Sequence, residues 1–154
     1  MRIYYGTDPI DNDVLDSYEH SIFLAGPTPR SEEVESWRPK ACEILNDLGY
    51  KGLVFAPEPE GDVFPDYMNQ VTWEKWGLTS CDKIAFWIPR VIPTMPAFTT
   101  NVEFGKYIDS GKVVYGRPDW ATKCRYLDWL YKDVTGKEAF SDLKELLVET
   151  IRFN

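Results

Sequence analysis

The chain has 154 residues, 44% of them hydrophobic and 15% aromatic, with a formal net charge of −8. A single domain of that length buries about two-thirds of the surface its unfolded chain exposes, and the composition excludes a disordered protein. The acidic balance, with no cluster of Lys or Arg, excludes a nucleic-acid-binding surface but not a small neutral nucleoside.

The first 19 residues are polar and rich in Asp, with a short apolar start at Ile3, Tyr4 and Tyr5, which predicts an edge strand or extended arm and then a loop. Residues 21–25 form a short buried strand closed by Gly26 and Pro27. A helix over 36–48 follows, capped by Ser36, with Pro39 in its first turn where the missing N–H costs little. Trp37, Ala41, Ile44, Leu45 and Leu48 form its apolar stripe, and Gly49 stops it. Residues 53–56 are a second strand, ended by the acidic loop 57–62. A helix opens at Asp66 or Tyr67 and runs to Ser80. A strand over 83–88, a helix over 100–110 stopped by Gly111, and a strand over 112–115 come next. Two closing helices lie near 121–132 and 141–151, within a single domain over 1–154 that has no repeat or linker. Short apolar strands alternating with amphipathic helices predict a mostly parallel sheet of four or five strands, covered on both faces.

Parallel strands gather their carboxyl ends, and the helix starts that follow, at one edge, where ligands bind. Glu103 falls there, in Thr100-Asn101-Val102-Glu103, read as the first turn of its helix. Two readings compete for it. Thr100-x-x-Glu103 has the spacing of a capping box, in which Glu only satisfies a backbone N–H. A carboxylate at that crevice can also attack a sugar carbon and hold it as an ester. Glu74, flanked by Trp73 and Trp76, is either a solvated helix residue or a carboxyl held protonated by apolar neighbours, fit to give a proton to a leaving base. The turn Gly26-Pro27-Thr28-Pro29-Arg30-Ser31 is neither a Walker loop nor GxGxxG; its glycine permits close backbone approach and Arg30 can meet an anion. Glu58, Glu60 and Asp62 are an acidic loop from which one carboxylate can accept from a base edge. Asp82 reads as a turn residue at the opposite edge.

Cys42, Cys81 and Cys124 have no metal-type spacing, and His20 is the sole histidine, so acid–base work is left to carboxylates, Tyr or Lys. No metal and no cofactor is expected. With no secretory segment after Met1 and no long apolar run, the chain reads as cytoplasmic, with free thiols and no membrane association. Six tryptophans predict that several line a pocket or an interface.

Taken in order, Ile22 to Arg30, Ser36-Trp-Arg-Pro39, Trp73-Glu-Lys-Trp76, Cys81 to Pro89, Thr100-Asn-Val-Glu-Phe-Gly105 and Gly111 to Gly116 resemble the nucleoside 2-deoxyribosyltransferase family, in its "-like" branch. The resemblance implies a flavodoxin-like or Rossmann-like three-layer α/β sandwich. It also implies glycosyl transfer in two steps, with Glu103 as nucleophile, Glu74 protonating or orienting the base, and the Gly26-Pro27 turn beside the sugar and base. Two departures stand out. No Asp precedes Glu103 within 96–100, which leaves Asn101 or Thr99 to contact the sugar, and Ile22 stands where relatives often carry Tyr. Relatives that hydrolyse nucleotide N-glycosidic bonds grip phosphate through Ser or Arg, a role open to Arg30 and Ser31. The implied partners are a nucleoside or nucleotide and a free base, and further copies of the chain in a homo-oligomer.

Overall fold

The computed structural model describes residues 1–61 and 66–153. Asp62, the last acid of the loop after the second buried strand, lies outside the described residues. Among the described residues, five strands form one sheet in which every pairing is parallel. In chain order these are β1 (Arg2–Tyr5), β2 (Ser21–Ala25), β3 (Leu53–Ala56), β4 (Lys83–Trp87) and β5 (Val113–Gly116). The helices are α1 (Asn12–Asp16), α2 (Arg38–Asp47), α3 (Tyr67–Ser80), α4 (Phe98–Tyr107), α5 (Arg125–Thr135) and α6 (Leu143–Thr150).

The spatial order β1-β3-β2-β4-β5 makes β2 the pivot of the sheet. From β2 the chain passes to β3 on one side, then crosses back to β4 on the other. Loops leaving β2 and β4 therefore diverge, and a crevice opens at their carboxyl ends. The N-terminal segment is an edge strand, with Arg2 to Tyr5 in register with Leu53 to Ala56. The loop expected after it contains the short helix α1, because Asp11 accepts hydrogen bonds from the backbone N–H of Asp13 and Val14.

Alternation along β2 divides the core. Phe23 and Ala25 pack with Trp73 and Leu78 of α3, Phe104 and Tyr107 of α4, and Leu127 and Tyr131 of α5. Ile22 and Leu24 pack on the other face with Trp37, Ala41 and Leu45 beside and on α2, and with Leu146 and Leu147 of α6. The architecture is the flavodoxin-like three-layer sandwich. Ile22 faces the α2 layer, so it cannot fill the place of a cleft tyrosine; Phe23 and Ala25 are the β2 residues on the cleft side.

Helix starts differ from expectation at α2, α4 and α5, the last beginning at Arg125 against an expected start near 121. The cap of α2 is Trp37, whose side chain makes no capping bond; the Ser36 hydroxyl accepts from the N–H of Arg38 at 3.2 Å and donates to Glu58. α4 begins at Phe98, after Ala97 in the left-handed region at φ 58°. Glu103 is thus in the second turn and not the first. With Thr100 inside the helix, the capping box does not form. α3 follows its prediction, with Asp66 capping Met68 and Asn69. No helix among the described residues is long and apolar enough to cross a membrane.

Candidate active site

A cleft of about 210 Å³ opens at the carboxyl ends of β2 and β4. Phe23 and Ala25 form part of its floor, and Gly26, Pro27 and Thr28 one wall. α3 contributes Tyr67, Gln70, Val71 and Glu74, whose spacings of three and four set them on one helix face. α4 and its entry contribute Ala97, Phe98, Thr99, Thr100 and Glu103. Arg30 and Arg38 also line the cleft.

The close fit at Gly26 explains why this turn carries a glycine. Its φ is 152°, and a Cβ there would lie 2.1 Å from the Trp87 carbonyl oxygen and 3.0 Å from Trp37 Cζ2. Only a residue without a side chain lets the chain leave β2 across the end of β4.

The two carboxylates meet in the cleft from neighbouring helices, half-buried. Burial pushes the Glu103 carboxyl up to about 7; the charge of Glu74 adds to this, and Arg38 and Lys106 oppose it. Burial raises Glu74 too, against a hydrogen bond that Gln70 Nε2 donates to its Oε1 at 3.0 Å and against the charge of Arg38. A carboxyl poised near neutrality beside a second carboxyl can lose its proton at working pH while its neighbour handles another.

Of the residues singled out in sequence, Gly26, Pro27, Arg30, Glu74 and Glu103 share the cleft. Glu58 and Asn101 are held by other partners. Glu58 accepts from Arg38 at 2.7 Å and from Ser36, so its Oε1 is engaged behind the Gly26–Thr28 wall. Asn101 points away along α4 and accepts from the buried Arg90. Thr99, the other residue offered for the sugar contact, does line the cleft. Arg117, at the end of β5, is tied to Asp128 at 2.7 Å and is not among the lining residues.

Of the pocket or interface expected for several tryptophans, the cleft takes none among the described residues: Trp37, Trp73 and Trp87 are core, Trp76 is half-buried, and Trp120 and Trp129 are exposed. The aromatic rings at the cleft are Phe23, Tyr67 and Phe98 instead, the last two 75% and 64% exposed at its mouth. The three cysteines are free and buried, with Cys42 pushed up to about 11 and Cys81 to about 12 by burial, which keeps both thiols protonated. Asp82 accepts from the Ser21 N–H and hydroxyl at the far edge of the sheet.

The residue that sequence reasoning missed is Arg38, 2% exposed and bonded to the Leu24 and Gly26 carbonyls, Thr28 and Glu58. The signal was its position. An arginine in the first turn of a helix opposes the positive end of the dipole, where acids are preferred, and so asks for a reason.

These features define an open parallel α/β domain with a carboxylate-bearing cleft at its topological switch point. A family model described as nucleoside 2-deoxyribosyltransferase like matches residues 19–120, and the chain belongs to that family. The matched stretch runs from β2 through β5 and contains every lining residue named above. A comparison with curated proteins gives no match.

Proposed function

We propose that this protein cleaves or exchanges the N-glycosidic bond of 2′-deoxynucleosides through a covalent sugar ester on Glu103. The observation that carries the reading is the pairing of Glu103 with Glu74 in one cleft, joined to membership of the family. Ionised Glu103 attacks C1′ of the sugar. The C1′–N bond breaks, its electron pair leaves with the base, and Glu74 supplies the proton that the base nitrogen takes up. An incoming base, or water, then attacks C1′, gives its proton to Glu74 and releases Glu103 as carboxylate. Burial raises both carboxyls, that of Glu103 to about 7. The reacting state is the one in which the pair's proton sits on Glu74.

The base stacks against the rings at the mouth, Tyr67 and Phe98, and the sugar lies over the Gly26–Thr28 wall near Thr99. A non-catalytic role for the fold required Glu103 to cap its own helix; its place in the second turn of α4, lining the cleft, favours chemistry. A nucleotide N-glycosidase is the second reading, favoured by Arg30 at the cleft, where it can meet a 5′-phosphate. Homo-oligomerisation belongs to the same proposal, supported by exposed Tyr126 and Trp129 on α5, whose rings lie 5.5 Å apart. The experiment is a product assay with a 2′-deoxynucleoside and a different free base. A new nucleoside supports exchange, free base with free sugar supports hydrolysis, and no reaction with nucleosides or nucleotides refutes both.

A further inference from the structure

We propose that Arg38 is the positioning residue of this cleft: one buried guanidinium clamps the Gly26–Thr28 wall against Glu58 and presents its positive charge to Glu74 and Glu103. The kinetic consequences rest on the glycosyl-transfer reading; the electrostatic ones do not.

The accounting of its donors is nearly complete. Nε donates to the Leu24 carbonyl at 2.9 Å, one amino group to Thr28 Oγ1 at 3.0 Å and Glu58 Oε1 at 2.7 Å, and the other to the Gly26 carbonyl at 2.7 Å. Four of the five N–H groups are thereby committed, and the fifth belongs to a guanidinium that lines the cleft. The bonds to Gly26 and Thr28 fix the wall on which a sugar must rest. The bond to Leu24 ties that wall to the last residues of β2.

Burial here is costly, and the location adds to the cost. Arg38 is the first residue of α2, where the helix dipole repels a cation, and it lies under 2% exposed surface. Stability alone favours a neutral residue there. Glu58 balances part of the charge, and its other donor, Ser36, keeps it in place. The remaining field falls on the two cleft carboxyls, both of which Arg38 draws toward ionisation. The other charged groups facing that pair are Lys106 of α4 and Arg30 of the turn, the latter exposed. A locally unfavourable cation that organises a wall and a carboxylate pair together is the pattern expected of a functional site.

The test is a carbon-detected NMR titration of the glutamate carboxyls in the wild type, Arg38→Gln, Arg38→Lys and Glu58→Gln, alongside kcat/KM on a 2′-deoxynucleoside against pH. Arg38→Gln is expected to move the Glu103 midpoint above its starting value of about 7, and that of Glu74 in the same direction. Glu58→Gln strips the counter-charge from Arg38 and is expected to move both midpoints down. Arg38→Lys keeps the charge and loses the fork. Its midpoints stay near wild type while kcat/KM drops roughly tenfold or more, mainly through KM. Where Arg38→Gln fails to fold, the opposite shift in Glu58→Gln and the KM effect in Arg38→Lys carry the test. Midpoints unmoved in Glu58→Gln and in folded Arg38→Gln would overturn the proposal. Midpoints that move in a protein inert toward every deoxynucleoside would uphold the positioning role and sink the glycosyl-transfer reading alone.

Discussion

Glu74 of α3 and Glu103 of α4 close on one cleft above Phe23 and Ala25 of β2, and the charge of the first helps hold the proton of the second. Two carboxyls so placed titrate as a pair, whose last proton leaves near pH 7. Activity is therefore expected to fall as pH rises through that region, because the proton lost there is the one that Glu74 must give to the leaving base. In Glu74→Gln both that proton and the neighbouring charge are gone, so the falling limb is lost and the residual activity rises only with Glu103 ionisation, at lower pH. A pH–rate profile of kcat/KM checks both, and a limb that stays put in Glu74→Gln contradicts the coupling.

The same pair affects folding stability, with a definite sign. Glu103 binds its proton more tightly folded, at about 7, than at the ordinary carboxylate value of 4.5. Its contribution is full below pH 4.5 and is lost as pH climbs to about 7. Glu103→Gln escapes that loss. It should match the wild type near pH 4 and exceed it near pH 8 by on the order of 1–2 kcal/mol, after discounting for solvent screening of a half-buried group. Urea unfolding at the two pH values measures the difference.

Glu74→Gln separates proton donation from binding. Nucleosides with poor leaving bases should slow by ~10²–10⁴-fold, and those with activated bases far less. An equal loss for both kinds of substrate would assign Glu74 a binding role instead.

Gly26→Ala should destabilise the fold by about 2–4 kcal/mol, because the new Cβ meets a backbone carbonyl that cannot yield without shifting β4. Denaturant midpoints measure it. A neutral effect would mean that the turn after β2 is looser than its geometry.

Much of the fold is legible in the chain because its signals are local. Apolar runs bounded by glycine and proline mark residues 21–25 and 53–56, and Asp66 marks the start of α3. What sequence reasoning loses is set by tertiary contacts or by backbone without a side-chain signature. The start of α4 is such a case: Ala97 turns the chain through a left-handed conformation, and no capping side chain announces it. Thr100 and Glu103 therefore imitate a capping box two residues inside the helix. Glu58 reads as a free acid until Arg38 is seen beside it, twenty residues away in sequence. Asn101 reads as a sugar contact until Arg90 takes it. The cleft itself was visible as a meeting of strand ends; the charge that organises it was not.

The central claim is the ester on Glu103, and intact-protein mass spectrometry with peptide mapping tests it directly. Wild-type protein quenched during turnover of a 2′-deoxynucleoside should carry one deoxyribosyl group, on a peptide containing Glu103, and Glu103→Gln should carry none while folding normally. Turnover without any adduct, at a rate that Glu103→Gln retains, would contradict the account.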